Sequence, residues 1–246
     1  MVVLENVFEN IITDIPRSFW ITDAVFEFLA NISALLLTYL SFKAYKFTSE
    51  KKYGFFGIAF GLISISFIAR SIIHLLLYLE MKKLPIFNIV SFYGITIYII
   101  LLLTAYLLLL ILSLEFSNRK IMLLLYLLSF FTVFTSVKPI NTFNIVAVII
   151  LGFITLNFYE IYLIKKKKSS LVVFIAFLLI TLSHLSFIIS NDLLFFLISH
   201  LLQTIAFIVL LFNNLFLLYG NRKIINLISS NNKNNGIKKK QIRNNK

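Results

Sequence analysis

Cysteine is absent from the 246 residues, which removes disulfides, thiolate metal sites and cysteine nucleophiles together. Charge is scarce as well: 13% of residues are charged, against about 25% in an ordinary soluble domain. Only three prolines occur, Pro16, Pro85 and Pro139. Each falls at the boundary of a long apolar run, so no run loses a backbone donor in its interior. The first 18 residues carry Glu5, Glu9 and Asp14 and open with no basic cluster, a pattern unlike a cleavable signal peptide.

What is present is apolar, at 60% of the chain. The apolar residues form seven blocks, Trp20 to Phe42, Phe55 to Leu79, Ile86 to Leu114, Ile121 to Val137, Ile140 to Ile164, Leu171 to Ser190 and Leu193 to Leu218. About 20 residues cross a bilayer core at ~1.5 Å each, so each block reads as a membrane span. The expected fold is all-α: a polytopic membrane protein, a seven-transmembrane-helix bundle filling residues 19–220. Residues 1–18 read as an extracytoplasmic amphipathic segment, because Leu4, Val7, Phe8, Ile11, Ile12 and Ile15 recur at helical spacing. Residues 221–246 are Asn, Lys and Ser with little periodicity, a basic low-complexity cytoplasmic tail with no output domain after it.

Basic residues fix the expected orientation. Of 23 Lys and Arg, the four in Lys43–Lys52, Arg119 and Lys120, Lys165 to Lys168 and those of the tail fall on one side. Arg17, Lys82, Lys83 and Lys138 fall on the other, and Arg70 lies within a span. Cytoplasmic loops collect such residues, which places the N-terminus outside and the C-terminus inside a cell membrane that the chain crosses several times. The formal charge of +13 is therefore read as topology and not as nucleic-acid binding. Lys165–Lys168 and the tail are also placed to meet anionic lipid headgroups.

Ionisable residues inside spans are costly unless they meet a partner or water. Glu27, His74, His184 and His200 each lie roughly 8 to 10 Å below the outer edge at ~1.5 Å per residue. Asp23, Arg70, Ser71, Gln203 and Thr204 share helix faces with them. Arg70 needs an anion, and Glu27 or Asp23 is the carboxylate at its depth. Glu27, Arg70, His74, His184, His200 and Gln203 are the expected ligand-binding residues of an outer-leaflet polar site. That layer reads as a structural hydrogen-bond network, a polar pocket, or a zinc site of His74, His184 and His200, in that order. No catalytic residue is assigned and no cofactor is expected outside the zinc reading. Gly57 and Gly61 form a GxxxG step, read as close packing within the bundle. Glu160, near the lysine run, reads as an interfacial residue.

The stretch Lys43-Ala-Tyr-Lys-Phe-Thr-Ser-Glu-Lys-Lys-Tyr53, continuing as Gly54-Phe-Phe-Gly-Ile-Ala-Phe60, resembles uncharacterised multi-pass membrane proteins of archaea. It is also similar to membrane regions that precede kinase domains in microbial sensor proteins. Ser199-His-Leu-Leu-Gln-Thr-Ile-Ala-Phe207 echoes the same pattern. The resemblance implies an archaeal, sensor-like or accessory membrane module, more a non-enzymatic protein than a catalyst, with its state read by a cytoplasmic protein partner. The seventh span holds no lysine, which excludes a retinal Schiff base. A metal-dependent seven-helix membrane hydrolase is the alternative, since Ser71 and His74 match part of that pattern while the paired histidines of the last helix are missing. A small-molecule transporter is the second alternative, although no proline- or glycine-broken span marks a midplane site.

Overall fold

The computed structural model describes residues 17–79, 85–115, 118–189 and 193–217, and every regular element in them is an α-helix. Arg17–Thr48 forms α1, Lys51–Tyr78 α2, Pro85–Ser113 α3, Arg119–Phe134 α4, Pro139–Lys165 α5, Lys168–Ile189 α6 and Leu193–Leu217 α7. Apart from Arg17 and Ser18, which open α1, the surface segment expected over 1–18 lies outside the described residues, as does the tail from 221.

Local chemistry sets the helix ends. Pro85 and Pro139 open α3 and α5, where a missing N–H costs no intrahelical bond. Asn118 caps α4, its side chain accepting from the Lys120 N–H at 3.0 Å. Ser49 and Lys166 adopt left-handed backbone, φ 57° and 49°, and their N–H groups bond back to Tyr45 O and Tyr162 O at 2.8 and 2.7 Å. This geometry stops α1 and α5 and turns the chain within a few residues.

The helices extend past the expected runs at the basic end. Lys43 and Lys46 lie on α1, Lys51 and Lys52 on α2, and only Ser49 and Glu50 join them. Lysine is a good helix former, so the helix continues beyond its apolar stretch. Among the described residues, six helices are long and apolar enough to cross a membrane, and α4 is shorter. Its 16 residues span about 24 Å against about 30 Å of hydrocarbon.

Short connections make consecutive helices antiparallel. α1 packs on α2, α2 on α3, α3 on α5 and α5 on α6, with α4 against α3 and α5. α7 reaches α1 through Thr204, whose hydroxyl donates to Phe26 O at 3.1 Å. It meets α2 through the Phe67–Phe207 edge contact and α6 through Phe187–Phe196. α3 is the central element: Leu102, Leu103, Ala105, Tyr106, Leu107 and Leu109 are all buried, while Phe92, Tyr93, Ile97 and Ile100 nearer its start are exposed.

Small residues bring α1 and α2 together. A Cβ on Gly57 would meet the Phe42 ring at 3.1 Å and one on Gly61 would meet Thr38, so the GxxxG step serves packing within the bundle. Outward faces are apolar: Leu124 is 65% and Phe131 70% exposed. A water-soluble monomer does not present such a continuous apolar surface, whereas a helical membrane bundle does.

Candidate functional site

On α1, Asp23, Glu27 and Asn31 stand four residues apart, one above another on the face toward α2. On α2, Arg70, Ser71 and His74 share the opposing turn. Burial of Asp23 and Glu27 is nearly complete, and the Arg70 side chain is 14% exposed.

The ion pair expected for Arg70 is present, Nε lying 2.9 Å from Glu27 Oε1. His74 Nδ1 sits between both carboxylates, 2.8 Å from Asp23 Oδ2 and 3.1 Å from Glu27 Oε2. Ser71 donates to Glu27 Oε2 at 3.3 Å. From α7, His200 Nε2 lies 3.2 Å from Asp23 Oδ1 and 3.0 Å from Arg70 Nη2. Arg70 also donates from Nη1 to the Tyr98 hydroxyl of α3 at 3.1 Å. Tyr98, Phe187 and Phe196 surround its guanidinium, with ring centroids 5.1, 5.7 and 5.6 Å from Cζ. Arginine suits this position because its flat cation stacks on rings while its fork holds several acceptors.

His184 stands apart from this cluster. Its Nε2 meets the Tyr106 hydroxyl at 2.9 Å and its Nδ1 meets Asn144 Oδ1 at 2.9 Å. Both ring nitrogens are thus engaged in a neutral triad joining α3, α5 and α6. Gln203 reaches toward Tyr106 without an aligned hydrogen bond from its Nε2. The six residues singled out from sequence therefore divide between two nodes: Glu27, Arg70, His74 and His200 in the charged one, and His184 and Gln203 at the neutral one. Lower on α1 and α2, Ser64 donates to Asn31.

The three histidines do not converge on one point, since His184 is committed to Tyr106 and Asn144. Among the described residues, Asp23, Glu27 and His74 form the group whose donor atoms all lie within 4.8 Å of one another. The contacts of His74 with both carboxylates have N–H···O hydrogen-bond length, and Arg70 already neutralises Glu27. These donors fit a shared proton better than a divalent ion, which would leave the cluster with net positive charge in an apolar surrounding.

Asp23, expected from sequence only as an alternative partner for Arg70, instead touches both His74 and His200. Tyr98, Tyr106, Asn144, Phe187 and Phe196 were not foreseen. Asn144, a buried amide within an apolar run, carried a signal. The aromatic residues did not, since 27 Phe and 11 Tyr leave no single ring distinctive.

No protein-family model matches the chain, no curated protein is similar to it, and no solved structure resembles it.

Proposed function

We propose that this chain is a sensor-like module of a cell membrane, crossing it seven times with the N-terminus outside, in which the buried charged cluster is a proton-operated clamp on α1, α2 and α7. The observation that carries this reading is the setting of His200. Its Nε2 faces a donor, Arg70 Nη2, at 3.0 Å and an acceptor, Asp23 Oδ1, at 3.2 Å, and one ring nitrogen satisfies only one of them. Unprotonated Nε2 holds Arg70, and protonated Nε2 holds Asp23. Each choice favours a different arrangement of α7 against α1 and α2.

Charge counting supports the same reading. Two carboxylates and Arg70 leave one unit of negative charge, and one proton shared by Asp23, Glu27 and His74 cancels it. A further proton or its loss leaves a net charge in an apolar surrounding, which costs several kcal/mol unless the packing opens to water. The charged and titratable groups facing the cluster are Asp23 and Glu27 from α1, Arg70 and His74 from α2, Tyr98 from α3, His184 from α6 and His200 itself. The altered packing would be passed to a cytoplasmic protein at the basic face.

The absence of cysteine makes the test clean, because introduced labels stand alone. Spin labels at Leu75 of α2 and Leu194 of α7 are expected to change separation by about 1–2 Å or more as the pH is carried from neutral to acid through the protonation of His200. Asp23→Asn and His200→Gln should flatten that response. An unchanged response in both variants overturns the clamp, and so does a stoichiometric metal in the purified protein.

Seven crossings require α4 to span despite its length. Single cysteines at Lys51, Val137 and Lys167 decide it by labelling in sealed vesicles. If α4 crosses, Lys51 and Lys167 share a side and Val137 is opposite. If it does not, Val137 joins Lys51 and Lys167 moves across.

A further inference from the structure

At the end of the bundle opposite the charged cluster, α6 and α7 diverge around a groove of about 640 Å³, lined by Lys168 and Val172 of α6 and by Val209, Phe212, Asn213 and Phe216 of α7. That volume lies within the range of about 300–1,000 Å³ typical of small-molecule sites. From these features we infer that the groove is a binding site for one anionic phospholipid, its acyl chain along α7 and its phosphate at the start of α6.

Three independent features point to that ligand. The walls are apolar, and Phe212 and Phe216 stay largely exposed on the open side, as suits an acyl chain entering from the bilayer. The mouth is cationic: Lys168 lines it, and Lys165, Lys166 and Lys167, all exposed, immediately precede it in the chain. It is also the N-terminus of a 22-residue helix. The first bonds of that turn run from Ser170 and Leu171 back to Lys167 O, so the Lys168 and Ser169 N–H groups point outward to an anion. Finally, Asn213 lines the groove at 8% exposure. A nearly buried amide beside an apolar slot matches the ester region of a lipid, between chain and headgroup. The basic rim argues against the chain's own lysine-rich tail as occupant, because like charges would meet.

The test uses the full chain, extracted in detergent and examined by native mass spectrometry with phosphatidylglycerol and with phosphatidylcholine of identical acyl chains. One phosphatidylglycerol is expected to be retained in preference to phosphatidylcholine. Lys167→Gln with Lys168→Gln, both exposed, should weaken that retention about 25-fold, since each basic residue near an anionic headgroup contributes about 1 kcal/mol. Val209→Trp, which fills the groove, should abolish it. Inorganic phosphate at millimolar concentration should leave the lipid in place. Equal retention of the two lipids overturns the headgroup assignment. Phosphatidylglycerol retained at full strength by Val209→Trp reduces the site to surface attraction and overturns the groove, and displacement by inorganic phosphate does the same. Retention of neither lipid by the unmodified chain means the groove is filled by the chain's continuation or by a second copy, which also refutes the inference.

Discussion

Replacing Arg70 with leucine is the sharpest perturbation of the charged cluster. The variant is apolar and shorter, and it leaves Glu27 without the guanidinium 2.9 Å away. Two unit charges about 4 Å apart interact by about 4 kcal/mol at an effective dielectric near 20. The Tyr98 hydroxyl and His200 Nε2 lose a partner as well, and each lost partner adds about 1 kcal/mol. Relief from burying the guanidinium offsets part of this. The net expectation is a loss of about 3–5 kcal/mol, as for other buried pairs broken from one side. For a chain of this size each kcal/mol shifts the unfolding midpoint by about 2–4 °C, so heat-induced unfolding in detergent should begin roughly 10 °C earlier. Adding Glu27→Leu removes the stranded carboxylate, and the double variant should recover most of the loss, giving a coupling of about 1–3 kcal/mol in the cycle. A shift below about 1 kcal/mol for Arg70→Leu would match an exposed pair and refute the buried cluster. A double-variant loss equal to the sum of the two single losses would show that the two residues act independently.

At the neutral node, Asn144→Leu preserves volume but strands His184 Nδ1, and should cost about 1–3 kcal/mol; an unfolding midpoint equal to that of the unmodified protein would refute the bond to His184. A Cβ on Gly94 would stand 2.8 Å from Ile73 Cδ1, so Gly94→Val should destabilise by about 1–3 kcal/mol. Ile73→Ala in the same chain should restore part of it, and the lack of any rescue would show that α2 and α3 do not approach there. Ser49→Gly and Lys166→Gly relieve left-handed backbone at φ 57° and 49° and should each stabilise by about 1 kcal/mol; a loss of stability would contradict those turns.

Much of the fold was legible because an apolar solvent leaves a chain few choices. Long runs of Leu, Ile and Phe satisfy their backbone only as helices, so all seven helices coincide with runs visible in the sequence. Their ends were less legible. Apolarity stops where the hydrocarbon would, but Lys43, Lys46, Lys51 and Lys52 continue the helices past that point. Rarity marked the charged cluster, because a cation within a span demands a carboxylate, and only Asp23 and Glu27 matched its depth. Rarity does not reveal direction around a helix axis. His184 lies at the same depth as His200, yet it faces Asn144 and Tyr106, and depth alone could not separate the two nodes.

The two nodes are linked through α3. Arg70 holds Tyr98 from the charged side, and His184 holds Tyr106, two turns further along the same helix, from the neutral side. Phe143 lies between them, its ring 6.0 Å from Tyr98 and 5.7 Å from His184, and Phe187 touches both His184 and His200. From Leu102 to Ile111 α3 is mostly buried, so that part of it has little room to move when Tyr98 is pulled or released. A close-packed interior transmits such a shift to its neighbours. The charged node binds α1, α2 and α7 to one side of α3, and the neutral node binds α5 and α6 to the other. Under the proposed clamp, a change of proton partner at His200 would act on two groups of helices packed against α3, and relative movement of those groups is the form in which the charged cluster would be felt at the basic face.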